Sequence, residues 1–271
     1  MAMNFWKMHG AGNDFILLDD HDQSFPVDNT PWINDIASRR TGIGSDGLIL
    51  IQPSESADFR MRFFNPDGRE AEMCGNGARC VARLAHEIGA APSDMVMETV
   101  AGPVKATADG SQVCLGMTEP KDWIVKTTLA FDDADAVTAG FVNTGVPHVV
   151  VQVDDLDALD IMKMGSAVRH HGEFAPAGTN ANFIEVVGEN ALRIRTFERG
   201  VECETLACGT GMVASALIAA KWGLVQSPVT LTCAGGDDLT VSFRLTETGA
   251  EEVTLLGPAV HVFTGTLDDP A

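Results

Sequence analysis

Two tetrapeptides in this 271-residue sequence pair a nucleophilic side chain with a flexible turn: CGNG at 74–77 and CGTG at 208–211, 134 residues apart. Each is followed by a run with helical character. A cysteine at the start of a helix sits where backbone N–H groups lack partners and the helix dipole is positive. Such a site attracts anions and lowers a thiol pKa towards neutrality. The glycines let the backbone approach a ligand closely, and Thr210 adds a hydroxyl to the second turn. If the two turns face one another, one thiolate can take a proton from carbon while the other thiol delivers one to the opposite face. That chemistry inverts a stereocentre. The competing reading is redox chemistry, since two facing thiols can also form a disulfide.

The elements that must position these turns repeat once. RFFNPDGREAEMCGNG (62–77) parallels RTFERGVECETLACGTG (195–211), and GNDFILLDD (12–20) parallels GVPHVVVQVDD (145–155). TGIGSDGLILI (41–51) parallels GTNANFIEV (178–186). Segments such as FILLD, LILIQ, VVVQV and VTLTC read as strands bounded by Gly, Pro, Asn or Asp. Helices are expected at 77–90 and 212–225, the second apolar nearly all round and hence buried. A further helix is expected within 157–171. The fold class expected is α/β (α+β), with two pseudo-symmetric domains, each a strand-rich barrel around a central helix, and the active site in the cleft between them. The boundary is expected within 118–140, giving residues 1–118 joined by the tail 259–271, and residues 119–258.

Composition narrows the partners. The net charge is −20, with 18 basic and 38 acidic residues. This disfavours nucleic acid and anionic membranes, both of which call for clustered Lys and Arg. No secretory leader pattern is visible, and the densest apolar stretch, 212–220, is too short to span a bilayer. The expectation is a cytoplasmic protein whose six cysteines are thiols. No cysteine spacing resembles a zinc site, so no metal is expected. Cys80, Cys114 and Cys233 read as packing residues.

KMHGAGNDF (7–15), FFNPDGREAEMCGNGARC (63–80) and ERGVECETLACGTG (198–211) together resemble the diaminopimelate epimerases, over essentially the whole chain. The resemblance implies a cofactor-independent isomerase that interconverts LL- and meso-diaminopimelate, with a small amino acid as substrate and a homodimer as the assembly. It implies that Cys74 and Cys208 are the acid/base thiols and that Gly75, Asn76, Gly209 and Thr210 hold the reacting α-carboxylate. Asn13, Asn65 and Asn182 match substrate-binding positions. Arg199 matches the residue that grips the distal carboxylate, and Glu198 and His148 match polar groups that assist proton handling. The chain departs from many members at Val146, where they carry Asn, at Gly47, where they carry Gln, and at Cys203, where they carry Gly or Asp. The rivals are an epimerase of the same fold acting on a cyclic or monocarboxylic amino acid, a thiol-based redox protein, and a non-catalytic amino acid-binding module.

Overall fold

The computed structural model describes residues 2–131 and 135–268. The centre of the 118–140 segment and the last three residues of the 259–271 tail therefore lie outside the described residues. The chain forms two compact units, Met1–Leu115 with Gly257–Ala271, and Gly116–Leu256.

The first unit contains β1 (Met3–Gly10), β2 (Asn13–Asp19), α1 (Thr30–Ala37), β3 (Gly47–Gln52), β4 (Phe59–Phe64), β5 (Glu70–Ala71), α2 (Gly75–Glu87), β6 (Asp94–Thr99), β7 (Gly102–Asp109) and β8 (Gln112–Gly116). The last strand of the chain, β18 (Val260–Leu267), returns to pair with β1. The order is β18–β1–β2–β3–β4–β6–β7–β8, antiparallel throughout except β2–β3 and β4–β6. The short β5 lies antiparallel to β4. Helix α2 packs against β1, β2, β3, β4 and also β7. Contact with strands near both ends of that order means the sheet curls around the helix. Strand β3 is buried along its whole length and β2 through Phe15–Leu18, as expected for apolar runs covered on both faces.

The second unit contains β9 (Lys121–Leu129), β10 (Val137–Asn143), β11 (Pro147–Gln152), α3 (Ile161–Arg169), a 3-10 turn (Gly172–Phe174), β12 (Asn180–Gly188), β13 (Ala191–Glu198), β14 (Cys203–Thr205), α4 (Gly209–Lys221), β15 (Val229–Thr232), β16 (Asp238–Leu245) and β17 (Ala250–Pro258). Its order is β9–β10–β11–β12–β13–β15–β16–β17, parallel only at β11–β12 and β13–β15. Strand β14 lies beside β13 as β5 lies beside β4. Helix α4 touches β10, β11, β12, β13, β15 and β16, and residues Gly211–Ala220 are all buried. The two units thus share one topology, with the same two parallel pairings and the same short strand before the central helix. The sequence repeat is a repeat of the whole ladder.

Some local structure differs from expectation. The 118–140 stretch, expected to hold the boundary, carries β9 and the start of β10, paired antiparallel, and the two units divide at Leu115/Gly116. Both central helices begin two or three residues earlier than expected, directly after the cysteine. Helix α1 was not foreseen. Its start is marked by Asn29, whose side chain accepts from the Trp32 N–H (3.3 Å), and by Pro31 in the first turn.

Candidate functional site

Each cysteine is the N-cap of its unit's central helix, in extended conformation: Cys74 has φ −134°, ψ 117° and Cys208 has φ −120°, ψ 103°. The third residue of each helix is a glycine for the same physical reason. A Cβ on Gly77 would lie 2.7 Å from Ile49 Cδ1 of β3, and one on Gly211 would lie 2.3 Å from Asn182 Oδ1 of β12. The second Gly of each tetrapeptide therefore lets the first helical turn press onto a strand. Gly75 is different, for a Cβ there would meet nothing within 4 Å.

In the first unit, the β1–β2 hairpin carries Asn13 to the cysteine turn. Asn13 Oδ1 lies 3.6 Å from Cys74 Sγ and accepts from Asn76 Nδ2 (3.4 Å). Asn13 Nδ2 donates to Asp46 Oδ2 (2.6 Å). Asp46 is held in turn by Arg39 (2.6 Å), which also binds Asp14 (2.6 Å). Lys7, almost fully buried, pairs with Asp14 (2.5 Å) and donates to the Gly44 carbonyl. Burial opposes the charge on Asp14, but hydrogen bonds from Arg39 and Lys7 dominate and hold its pKa down to about 2. Asn76 Oδ1 accepts from the buried Arg79 (3.0 Å), whose Nε also donates to the Pro258 carbonyl (3.2 Å). Asn65 lies in the turn between β4 and β5, where its carbonyl accepts from Gly68 N–H (2.9 Å) and its N–H donates to Arg69 O (2.9 Å).

In the second unit, a chain of polar side chains leads to the cysteine. Thr196 Oγ1 donates to Asn182 Oδ1 (3.0 Å), and Asn182 Nδ2 donates to His148 Nδ1 (3.1 Å) and to the Val149 carbonyl (2.9 Å). His148 Nε2 lies 2.9 Å from Thr210 Oγ1, which is 3.6 Å from Cys208 Sγ. Thr144 Oγ1 donates to the Thr210 carbonyl (2.9 Å). Burial lowers the His148 pKa to about 3, and the charge of Arg199 adds to this, so the ring is neutral. Glu198, at the end of β13, accepts from Thr205 (2.9 Å), and burial raises its pKa. The next residue, Arg199, donates from its backbone N–H to Asn180 Oδ1 (2.8 Å) and from Nη1 to the Ala177 carbonyl (3.3 Å).

The structure thus gathers Asn13, Gly75, Asn76 and Cys74 at one turn, and His148, Asn182, Gly209, Thr210 and Cys208 at the other. Asn182, expected at the substrate, is fully buried, with its oxygen accepting from Thr196 and its NH₂ donating to His148 and the Val149 carbonyl. Asn180, two residues earlier on the strand, is the asparagine that meets Arg199. Sequence reasoning passed over Asn180, although it shares the TNANF motif. It also missed Lys7, Asp14, Arg39 and Asp46, which are far apart in sequence and look like ordinary surface charges. Of the departures, Gly47 has no room for a side chain: a Cβ would lie 2.4 Å from the Phe63 ring. Val146 is exposed in the turn before β11. Among the described residues, no three or more His, Cys, Asp or Glu side chains converge as a metal-binding set would, and no helix is long and apolar enough to cross a membrane.

Comparison with known proteins gives a consistent result. The family model described as diaminopimelate epimerase matches residues 5–123 and 140–262. A diaminopimelate epimerase of Aquifex aeolicus is 42% identical, with 98% of each chain covered. One from Chlorobaculum tepidum is 44% identical, covering 96% of this chain and 99% of the relative. Among solved structures, a PhzF-family phenazine biosynthesis protein of Bacillus anthracis has TM-score 0.72 at 17% identity, covering 99% of this chain and 100% of its own. A hydroxyproline epimerase of Agrobacterium vitis has TM-score 0.70 at 18% identity, covering 99% of this chain and 94% of its own. At such identities the structural likeness speaks to fold alone. The full-length sequence matches go further, and with the repeated cysteine turns they make this chain a member of the diaminopimelate epimerase family.

Proposed function

We propose that the protein converts LL-2,6-diaminopimelate to meso-diaminopimelate without a cofactor, as a step supplying lysine and peptidoglycan precursors. The observation that carries the reading is the repeated N-cap cysteine, in extended conformation at the start of the central helix of each unit. In this reading Cys74 and Cys208 act on opposite faces of one α-carbon. One removes the α-proton as thiolate, and the other returns a proton as thiol. The amides of the two first turns, at Gly75–Asn76 and Gly209–Thr210, bind the α-carboxylate and stabilise the negative charge that develops on it. The open space over Gly75 suits close approach of that carboxylate. Arg199 takes the distal carboxylate through its planar fork. Glu198 and His148 assist proton handling at the thiols, and Asn13 and Asn65 contact the substrate. Family resemblance supports a cytoplasmic homodimer, checked by light scattering of the purified protein.

The test is incubation of the reduced protein with LL-diaminopimelate and no added cofactor, with the stereoisomers resolved by chiral chromatography. Appearance of the meso isomer is expected. No conversion by folded, fully reduced protein, with conversion of proline or another monocarboxylic amino acid instead, would overturn the substrate assignment.

A further inference from the structure

We infer that Arg169 and Glu202 are positioning residues: their ion pair latches the β13–β14 turn to the end of α3 and so aims the Arg199 side chain at the distal carboxylate. The inference deepens the epimerase reading and rests on it, since that reading gives Arg199 the distal carboxylate.

The turn spans residues 199–202, between Glu198 of β13 and Cys203 of β14. It protrudes, with Gly200 exposed and Val201 53% exposed. Glu202 has φ 59°, a left-handed conformation uncommon for a residue with a side chain. Two hydrogen bonds close the turn on itself. The Glu202 N–H donates to the Glu198 carbonyl (2.8 Å), and Glu202 Oε1 accepts from the Gly200 N–H (2.9 Å). The same oxygen accepts from Arg169 Nε (3.1 Å) and lies 3.0 Å from Nη2. His170 Nε2 lies 3.6 Å from the other oxygen. The Gly200 N–H first, and Arg169 after it, hold the Glu202 carboxyl below the ordinary carboxylate range, so the latch is charged at neutral pH.

Arg169 ties this latch to the rest of the unit. It is the last residue of α3, and its side chain is largely buried. A Cβ on Gly178 (φ 66°) would overlap the Arg169 guanidinium, so the 170–179 loop is pressed against it. The Thr179 N–H donates to the Arg169 carbonyl (3.4 Å), and Phe174 of the same loop stacks on Phe141 of β10 (5.4 Å between rings). This loop supplies Ala177, whose carbonyl accepts from Arg199 Nη1 (3.3 Å). Arg169 therefore touches both segments that direct Arg199, the turn through Glu202 and the loop through Gly178. Asn180 fixes the Arg199 backbone (2.8 Å) but not the direction of its side chain.

The matching turn of the first unit is braced by different means. Between β4 and β5, the Pro66 carbonyl accepts from Asn34 of α1 (2.8 Å), and a Cβ on Gly68 would lie 2.8 Å from Thr30 Cα at the start of that helix. There the turn rests on the helix by direct contact. In the second unit the turn reaches its bracing helix through a charge pair, which makes Arg169 and Glu202 the residues to remove.

The experiment measures epimerisation kinetics for Glu202→Ala and Arg169→Met, each alone and combined with Arg199→Ala. Each single change is expected to raise KM for diaminopimelate about fivefold with kcat within about twofold, the upper end for one part-exposed ion pair. Added to Arg199→Ala, neither is expected to raise KM further, because the side chain they aim is gone. An equal rise with and without Arg199 would overturn the inference. A second readout needs no substrate: modification of Arg199 by phenylglyoxal, an arginine-selective dicarbonyl, followed by peptide mass spectrometry. Release of Arg199 from Ala177 is expected to speed its labelling about three- to fivefold in both variants, the range set by loss of the same ion pair. Unchanged labelling in the folded variants would overturn the inference whatever the substrate. No turnover of diaminopimelate by the parent protein, with the labelling difference present, would instead overturn the substrate assignment.

Discussion

Replacing Gly211 with Ala tests the packing that joins helix α4 to the polar chain behind Cys208. The added Cβ would lie 2.3 Å from Asn182 Oδ1, and 3.3 Å from both Cys208 Sγ and His148 Cε1. An ordinary contact requires a displacement of about 1 Å, and Asn182 is fully buried with three hydrogen bonds to lose or stretch. Overpacking costs about 1–3 kcal/mol, and each weakened neutral hydrogen bond about 1 kcal/mol. Helix propensity returns up to about 1 kcal/mol on going from Gly to Ala. The net loss is about 2–3 kcal/mol, a melting temperature lower by roughly 5–10 °C in a unit of this size. Displacement of this order at the reacting groups is expected to lower kcat/KM about 100-fold. Gly75→Ala is the control, since its Cβ meets nothing within 4 Å. That variant keeps its melting temperature while losing activity, because the methyl enters the space assigned to the carboxylate. Thermal denaturation and epimerisation kinetics on both variants decide the matter. A Gly211→Ala protein with unchanged melting temperature and unchanged turnover would refute the reasoning.

Cys74→Ala is expected to lower net epimerisation by at least about 1000-fold, within the range of general acid–base catalysis, with the melting temperature little changed. The same chiral assay reads it, and full activity would remove the two-thiol mechanism. Arg199→Ala is expected to raise KM for diaminopimelate about tenfold or more with a smaller change in kcat, as loss of a charge-assisted bond implies. Asp14 has a folded pKa of about 2, below the ordinary aspartate value, so it contributes stability above about pH 4 that is lost as pH falls towards 2. The contribution is about 2 kcal/mol, and Asp14→Asn is expected to lower the urea midpoint at pH 7 but hardly at pH 2. Burial raises the Glu198 pKa, so the charged form destabilises the fold as pH rises through that value. Glu198→Gln is therefore expected to raise the melting temperature at pH 8 while lowering turnover.

The two cysteine turns were legible because two signals coincided in each: a Cys-Gly tetrapeptide and an apolar run of helical period. The sheet around each helix was legible as strands but not as an order, since pairing β4 with β6 and β13 with β15 requires contacts that local sequence does not record. Strand β9 escaped notice because Lys121–Leu129 is largely exposed and lacks the alternation of a half-buried strand. The TNANF motif carries two asparagines that local sequence does not tell apart. In TNANF the side chains two residues apart share a face of the strand, so sequence cannot say which of Asn180 and Asn182 reaches the site. The structure buries both and separates them by partner, placing Asn182 against His148 and Asn180 against the Arg199 backbone and the Pro147 carbonyl. The Lys7–Asp14–Arg39–Asp46 cluster needed the β1–β2 hairpin and the parallel β2–β3 pairing to bring its members together.

The most direct test of two-thiol epimerisation is deuterium placement in D₂O at low conversion of LL-diaminopimelate. One cysteine starts as the thiolate and the other as S–D in D₂O, so the proton taken from one face stays on the first cysteine while the other face receives the deuteron of the second. The account predicts meso product with deuterium at the inverted carbon and recovered LL substrate still protiated. Meso product that retains the substrate's own proton would mean that a single base works both faces, and would contradict the account.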